Sequence, residues 1–556
     1  MRFFINIAIF ILITLLTSCR GDKHSEKNAQ QKTADGELFT CSLHQQFVPV
    51  FFGRSGNVIA QIELQNNDSL SSVSLKRVEI VLSDPQQAQW LQHATITCHT
   101  AINDTLYQSV EFGRSSLKKS KFIIKGLQKV ERGKVSLTVD FSAKPDIPLE
   151  SKVFLKEVRL YFRGNTMHTL TANSTFAYRP ALVLRSAGED NCHTYRIPGI
   201  ITTNKGTLIA VYDNRYNNSK DLQEDIDIGM SRSTDGGKTW EPMRVIMDMG
   251  QWGGNPQQLN GTGDPCILYD HTTHTILVAA LWMSGLSERD MLWWASQLGM
   301  SPHETGQFLI VKSTDDGLSW SEPMNITSQI KDPKWQLLLA GPGRGLALDD
   351  GTLIFPAQFK QDIGVKAIDG GQYTCHSTIV YSRDGGNQWH IANGAKPNTT
   401  ESQVVQLADG SLMLNMRDDL NRINKGEGNG RAVATTHDMG KSWELHPSSN
   451  RALPEPNCMA GLIAHTVHMG SKPTQILFFS NPNNKTHRSH MTIQASTDGG
   501  NTWPMGNRIL LNEKEGFGYS CMTMVDSAII GIVYEGVREL YFQKISIDDF
   551  KLPLTE

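Results

Sequence analysis

Ser233-Thr-Asp-Gly-Gly-Lys-Thr-Trp240 decides the fold, because the chain repeats it. Its pattern, S/T-x-D-x-G-x-x-W, returns as Ser313-Thr-Asp-Asp-Gly-Leu-Ser-Trp320, Ser382-Arg-Asp-Gly-Gly-Asn-Gln-Trp389, Thr436-His-Asp-Met-Gly-Lys-Ser-Trp443 and Ser496-Thr-Asp-Gly-Gly-Asn-Thr-Trp503. Successive copies start 80, 69, 54 and 60 residues apart. Recurrence at such a period marks a repeat architecture, and each copy carries hairpin chemistry. The Asp accepts hydrogen bonds from turn N–H groups, the Gly takes positive φ, and the Trp packs back over the turn. The run Thr374–Tyr381, rich in β-branched and aromatic residues, leads into the third copy. Hairpins at this spacing predict four-stranded blades set radially, a β-propeller. One carboxylate per box is too few for a calcium loop, so the boxes read as structural turns.

Residues 179–552 suffice for six blades of about 60 residues, and five boxes leave one blade without a box. The last strand, expected at Glu539–Ile547, closes the ring against the first blade. One segment breaks the rhythm: Ala280–Ser301 is apolar, carries three tryptophans and reads as an insertion with helical character over the propeller face. Ahead of the propeller, at 38–178, the pattern changes. Gln46–Phe52, Val58–Leu64, Arg77–Leu82, Lys121–Ile124, Lys134–Phe141 and Val153–Phe162 alternate apolar and polar residues between turn-rich breaks. That predicts an antiparallel β-sandwich of jelly-roll or Ig-like type, so the fold class is all-β. A carbohydrate-binding module and a spacer both fit this domain. Trp90 is its only tryptophan, so no stacking platform for sugar rings is evident.

At 556 residues the chain holds more than one domain. Net charge −3 and pI near 6.6 give no basic footprint, which argues against nucleic acid as a partner. Met1-Arg2, an apolar run from Phe3 to Leu16 and Leu16-Thr-Ser-Cys19 describe a secretory signal, too short to span a bilayer. The Cys after Leu-Thr-Ser resembles the lipobox of bacterial lipoproteins. On that reading 1–19 is the signal with Cys19 lipidated, and 20–37 is a flexible tether. The membrane is then reached through the lipid anchor only, in the periplasm or at the outer-membrane surface. An ordinary signal peptide cut nearby is the alternative. Cys41, Cys98, Cys192, Cys266, Cys375, Cys458 and Cys521 form no C-x-x-C pair, and their odd number favours buried thiols. No histidine or cysteine spacing points to a metal.

Thr194-Tyr195-Arg196-Ile197-Pro198 is where the reading becomes specific. It resembles the Y/F-R-I-P motif of the exo-α-sialidases, which also carry such boxes on a six-bladed propeller. The resemblance covers about Arg179 to Leu552 and points to the bacterial type with an added N-terminal domain. It implies a clamp for the substrate carboxylate made of Arg196, Arg417 in Asn415-Met-Arg417, and Arg488 in Thr486-His-Arg488-Ser, with Arg431 and Arg508 as nearby rivals. Guanidinium forks suit that task because they stay charged and bind carboxylates bidentately. A carboxylate on the anomeric carbon repels an anionic nucleophile, and sialidases use a tyrosine instead. The matching residues are Tyr519 in Gly516-Phe-Gly-Tyr519-Ser, as nucleophile, and Glu401 in Thr400-Glu401-Ser-Gln, as its base. Asp221, in Ser219-Lys-Asp221, is the implied general acid, with Asp225 and Asp227 as competitors and Arg215 near the sugar's O4. Asp264 in Gly263-Asp264-Pro265 and Gln358 in Phe355-Pro-Ala-Gln358 are the further implied pocket residues.

The expected activity is hydrolysis of terminal α-linked sialic acid from glycans, by a monomer with no cofactor. A non-catalytic box propeller, binding sialoglycans or serving as a scaffold, is the competing reading. It gives no reason to keep Arg196, Arg417, Arg488, Glu401 and Tyr519 together. A third reading keeps the enzyme class and ends in sialic acid transfer or an anhydro product.

Overall fold

Alternation of apolar and polar residues builds the N-terminal domain. The computed structural model describes residues 39–552 apart from 69–71, 85, 87, 102–106, 222–223, 255, 285–291 and 470–471. Cys19 and the tether therefore lie outside the described residues. One sheet of the sandwich runs Phe39–Gln45, Val58–Asn66, Gly133–Ala143, Leu91–Ala101, Tyr107–Ser116. The facing sheet runs Met167–Thr171, Leu155–Phe162, Val73–Leu82, Lys121–Val130. Every second residue points between the sheets, so Ile62, Leu64, Val78, Ile80, Phe122, Leu137, Phe141 and Val158 form the core. Trp90 joins them in the interior.

Gln46–Phe52 departs from the expected sandwich strand. Only Val50–Phe51 is extended, and it pairs in parallel with Pro180–Ala181 at the edge of the propeller. The N–H groups of Val50 and Phe52 donate to the carbonyls of Arg179 and Ala181. An outer propeller strand offers unpaired backbone groups, and this segment of the sandwich covers them.

Six four-stranded blades follow. The first is Thr194–Thr202, Leu208–Arg215, Ile226–Ser233 and Arg244–Met247. The second is Asn260–Asp270, Thr275–Ser284, Gln307–Ser313 and Met324–Asn325. The third sets Leu337–Ala340 and Leu346–Ala347 inside Leu353–Lys366, Gln372–Ser382 and His390–Ile391. The fourth is Thr399–Gln406, Leu412–Asp418, Ala432–Thr436 and Glu444–Leu445. The fifth is Gly461–Met469, Lys472–Pro482, Met491–Ser496 and Arg508–Asn512. The sixth takes Ser520–Met524, Ile529–Glu535 and Leu540–Ser546 from the end of the chain and Pro180–Arg185 from the start of the propeller. The last strand thus closes the ring within the sixth blade, rather than against the first.

Each box is the turn from the third to the fourth strand of a blade. In the last one, Ser496 Oγ donates to Asp498 Oδ1 (2.7 Å) and accepts from Gly500 N (3.0 Å). Asp498 Oδ1 accepts from Thr502 N (3.0 Å), and Trp503 Nε1 donates to the Gly500 carbonyl (3.1 Å). The sixth blade has no box because its third and fourth strands come from opposite ends of the propeller sequence, with no turn between them.

The Trp-rich segment splits. Trp282 lies on the second strand of blade two, fully buried and edge-on to Trp252 at 4.4 Å. Among its described residues, helical character is confined to one turn, Leu292–Ala295, which carries Trp293 and Trp294.

Candidate active site

Antiparallel order within each blade brings the starts of the innermost strands, the ends of the second strands and the second-to-third loops to one end of the ring. The boxes fall at the opposite end. The residues given roles by the resemblance lie at the first end, and a cavity of about 240 Å³ there is lined by Asp221, Asp264, Gln358, Glu401, Arg417 and Tyr519 among others.

The innermost strands bulge as they enter the site. In blade one the register shifts between Arg196 and Gly199, and Ile197 takes φ 56°. Blade two shifts between Gly263 and Cys266, with Asp264 at φ 56°. Left-handed backbone at a β-branched residue is strained, and bulges of this kind re-aim side chains at functional sites. Both bulges are held by buried carboxylates. Glu535 Oε1 accepts from Ile197 N (2.9 Å), and Asp213 Oδ1 accepts from Asp264 N (2.9 Å).

Arg196 is held on three sides of its guanidinium. Its Nε donates to Glu535 Oε1 (3.0 Å), Nη2 to Glu535 Oε2 (3.4 Å) and Nη1 to Asp221 Oδ1 (3.3 Å). The rings of Phe517 and Tyr519 lie 4.9 Å from its guanidinium carbon. Burial alone lowers its pKa, but Glu535 and Asp221 outweigh it and keep the charge firmly on.

Arg417 donates from Nη1 to Glu401 Oε2 (2.6 Å) and to Tyr519 OH (3.2 Å), and from Nη2 to Asn457 Oδ1 (2.8 Å). Arg488 reaches the carbonyls of Phe517 (2.9 Å) and Asn457 (3.2 Å), its guanidinium carbon 5.6 Å from the Tyr519 ring. The rivals lie elsewhere. Arg431 is fully buried against Glu455, Asn415 and the Cys458 carbonyl, and Arg508 bonds the Trp503 carbonyl.

Tyr519 and Glu401 meet. The phenol donates to Glu401 Oε1, and the Tyr519 N–H donates to Glu535 Oε2 (2.8 Å). Gly518 precedes it at φ 89°, where an added Cβ would lie 2.9 Å from Pro482 and 3.1 Å from Arg488. Only glycine lets the chain turn there. Burial and the Glu401 charge push the phenol well above its ordinary pKa, against the pull of three arginines.

Asp221 is the most exposed acid of the group, its side chain 54 % accessible. What burial it has pushes its carboxyl up, but Arg215 and Arg196 prevail and bring it down to about 2. Arg215 is itself buried, donating to Asp221 Oδ1 (2.6 Å), Asp213 Oδ2 (3.0 and 2.7 Å) and the Ser219 carbonyl (2.8 Å). Burial together with Asp213, Asp221 and Glu401 drives the Asp264 carboxyl well up. Gln358 is buried at the cavity wall with its Oε1 unpartnered. Asp227 instead accepts from Tyr216 OH (2.7 Å) on the strand leading to the first box, and Asp225 stands just before that strand.

Glu535, Asp213 and Asn457 belong to this site though no role was expected of them, and Glu535 and Asn457 carry no motif that announces them. Asp213 had a usable signal. Leu208, Leu353 and Leu412 each face the first residue of a box, and five residues further on stand Asp213, Gln358 and Arg417. Glu535 ends the second strand of the blade without a box, where there is nothing to count from. Among the described residues no His, Cys, Asp or Glu cluster has the arrangement of a metal site. Cys98, Cys192, Cys266, Cys375, Cys458 and Cys521 are buried thiols.

A box propeller with an arginine cluster and a Tyr–Glu pair converging at one mouth defines a glycoside hydrolase for an anionic sugar. The family model for the BNR repeat-like domain matches residues 206–532. The chain is 44 % identical to a sialidase of Bacteroides fragilis (strain YCH46) over 538 residues, 92 % of this chain and 95 % of that one. It is 30 % identical to a sialidase of Micromonospora viridifaciens over 376 residues, 66 % of this chain and 54 % of that one. Among solved structures it resembles the Hadza microbial sialidase Hz136, with TM-score 0.81 at 36 % identity over 92 % of this chain and all of that one. This chain belongs to the sialidase family.

Proposed function

We propose that this protein is an exo-α-sialidase that hydrolyses terminal α-linked sialic acid from glycoproteins, oligosaccharides and glycolipids, gangliosides included, with retention of configuration. The observation that carries the mechanism is the contact of Tyr519 OH with Glu401 beside the guanidinium of Arg417. The substrate carboxylate takes Arg196, Arg417 and Arg488. Tyr519 attacks the anomeric carbon as Glu401 removes its proton, the bond to the glycan oxygen breaks, and the resulting sialyl-tyrosine aryl ketal is then opened by water. Keeping the phenol protonated until that moment avoids setting an anion against the substrate's own carboxylate.

Asp221 protonates the leaving oxygen and then serves as base towards water. In the free protein two arginines hold it ionised. A substrate carboxylate that engages Arg196 removes part of that field, so the acid gains its proton as substrate binds. Asp264, near Arg215 and with its carboxyl pushed up by burial and neighbouring acids, stands where it can hydrogen-bond the sugar.

The test compares wild type with Asp221→Ala on two substrates. An aryl sialoside such as the 4-methylumbelliferyl conjugate needs little acid help, so the variant loses far less on it than on sialyl-lactose. Equal losses on both remove Asp221 as the acid, and no turnover by folded wild type removes the enzyme reading. We also propose that Cys19 is lipidated and anchors the enzyme in the cell envelope as a monomer. Labelled palmitate incorporation lost in Cys19→Ser is the check.

A further inference from the structure

We infer that Lys360 is a positioning residue for this reaction, fixing the aromatic wall of Trp293 and Trp294 that presses the sugar towards the clamp and Tyr519. The inference rests on the sialidase reading above.

Lys360 is fully buried on the second strand of blade three, two residues beyond Gln358 and so on the same face. Among the described residues no carboxylate oxygen lies within ion-pairing distance of its Nζ. The ammonium instead donates to the Trp293 carbonyl and sits in an aromatic cage. The centroids of Trp293, Tyr373 and Trp294 are 3.7, 4.0 and 5.4 Å from Nζ. The cage is tied together by Trp293 Nε1, which donates to Asp369 Oδ2 (3.0 Å) and Tyr373 OH (2.7 Å), while Tyr373 OH donates to Asp369.

A buried ammonium is costly, and an apolar side chain of the same length would fill the space without that penalty. What the charge supplies is a hold on Leu292–Ala295, a single helical turn too short to persist alone. That turn matters because of where it stands. In a six-bladed ring, blade two faces blade five and blade three faces blade six. Trp293, Trp294, Gln358 and Asp369 from blades two and three therefore confront Tyr519 across the cavity that all five line. A wall remote from the reacting carbon contributes to substrate and transition state alike, so its loss appears in KM.

Burial pulls the Lys360 ammonium down to about 7. Its hold is complete below that pH and is lost as pH rises through it. The ionisable groups facing it are Asp369, Tyr373, Cys375 and, further off, Asp419. Asp369 stays ionised, and Tyr373 and Cys375 are driven far up, so none of these three titrates near neutrality. His376, on the neighbouring strand with Tyr373 and Cys375, stacks instead on Phe359.

The experiment measures kcat and KM for sialyl-lactose between pH 5.5 and 8.5 in wild type and Lys360→Met, with thermal unfolding alongside. Expected is a KM about 5–20-fold higher in the variant below pH 7, kcat within about threefold, and no drop in Tm. The rise of wild-type KM above pH 7 is absent from the variant. Should Lys360→Met not fold, Tyr373→Leu, which removes one face of the cage, must raise KM in the same way. Unchanged KM, or kcat and Tm falling together, overturns the inference. Absence of turnover by folded wild type would instead overturn the sialidase reading beneath it.

Discussion

Replacing Glu535 with glutamine is the sharpest test of how the site is held together. Each oxygen of this buried carboxylate serves one guanidinium N–H of Arg196 and one backbone N–H: Oε1 those of Arg196 Nε and Ile197, Oε2 those of Arg196 Nη2 and Tyr519. Glutamine has the same shape but one acceptor. Whichever way its amide faces, an NH₂ meets two donors, orphaning one backbone N–H and breaking one hydrogen bond to the arginine. An unsatisfied buried N–H costs about 1–3 kcal/mol and a lost charged hydrogen bond about 1.5–3 kcal/mol. The sum is about 2.5–6 kcal/mol, shared between stability and the placement of Arg196 and Tyr519. If about 3–4 kcal/mol falls on transition-state binding, kcat/KM drops roughly 10²–10³-fold at about 1.4 kcal/mol per decade. The assay is steady-state release of 4-methylumbelliferone, with circular dichroism to verify the fold. A folded variant within threefold of wild type would refute the view that Glu535 sets the geometry of the clamp and nucleophile.

Tyr519→Phe should remove most turnover while a sialic acid analogue still binds, measured by calorimetry; unchanged turnover would exclude it as nucleophile. Arg196→Lys should weaken that same analogue, because an ammonium cannot reproduce the fork on Glu535 and a carboxylate together; wild-type affinity would refute the clamp. Hydrogen bonds from the Ser319 and Ser442 hydroxyls and N–H groups hold the box carboxylates Asp315 and Asp438 down to about 2, below the ordinary value of about 3.9. Their stabilisation is present above pH 4 and lost as pH falls towards 2. Asp315→Asn with Asp438→Asn should therefore lower Tm at pH 6 and flatten its decline in acid, and parallel Tm–pH curves would count against it.

The propeller was legible because its information is local. A box closes its own turn with Ser, Asp, Gly and Trp within eight residues, so recurrence along the chain reports the blades directly. The sandwich strands Tyr107–Ser116 and Met167–Thr171 were not legible, since their exposed, polar faces give little alternation to read. Gln46–Phe52 misled because alternation states that one face is covered and not by what. It is the outer strand of blade six that covers it.

Of the site, the residues named from motif resemblance stand around one mouth, yet nothing local in the sequence places them there. Arg196 and Glu535 are 339 positions apart and meet only because the ring closes. The sequence by itself determined the turns, the blade count and the chemical types available. Only the tertiary structure decided which carboxylate holds which arginine, that Asp221 is ionised in the free protein, and that Lys360 stands behind the aromatic wall. The physical reason is range: turn chemistry acts within a few residues, whereas burial, charge coupling and hydrogen bonding across the ring depend on distances in space that spacing along the chain does not encode.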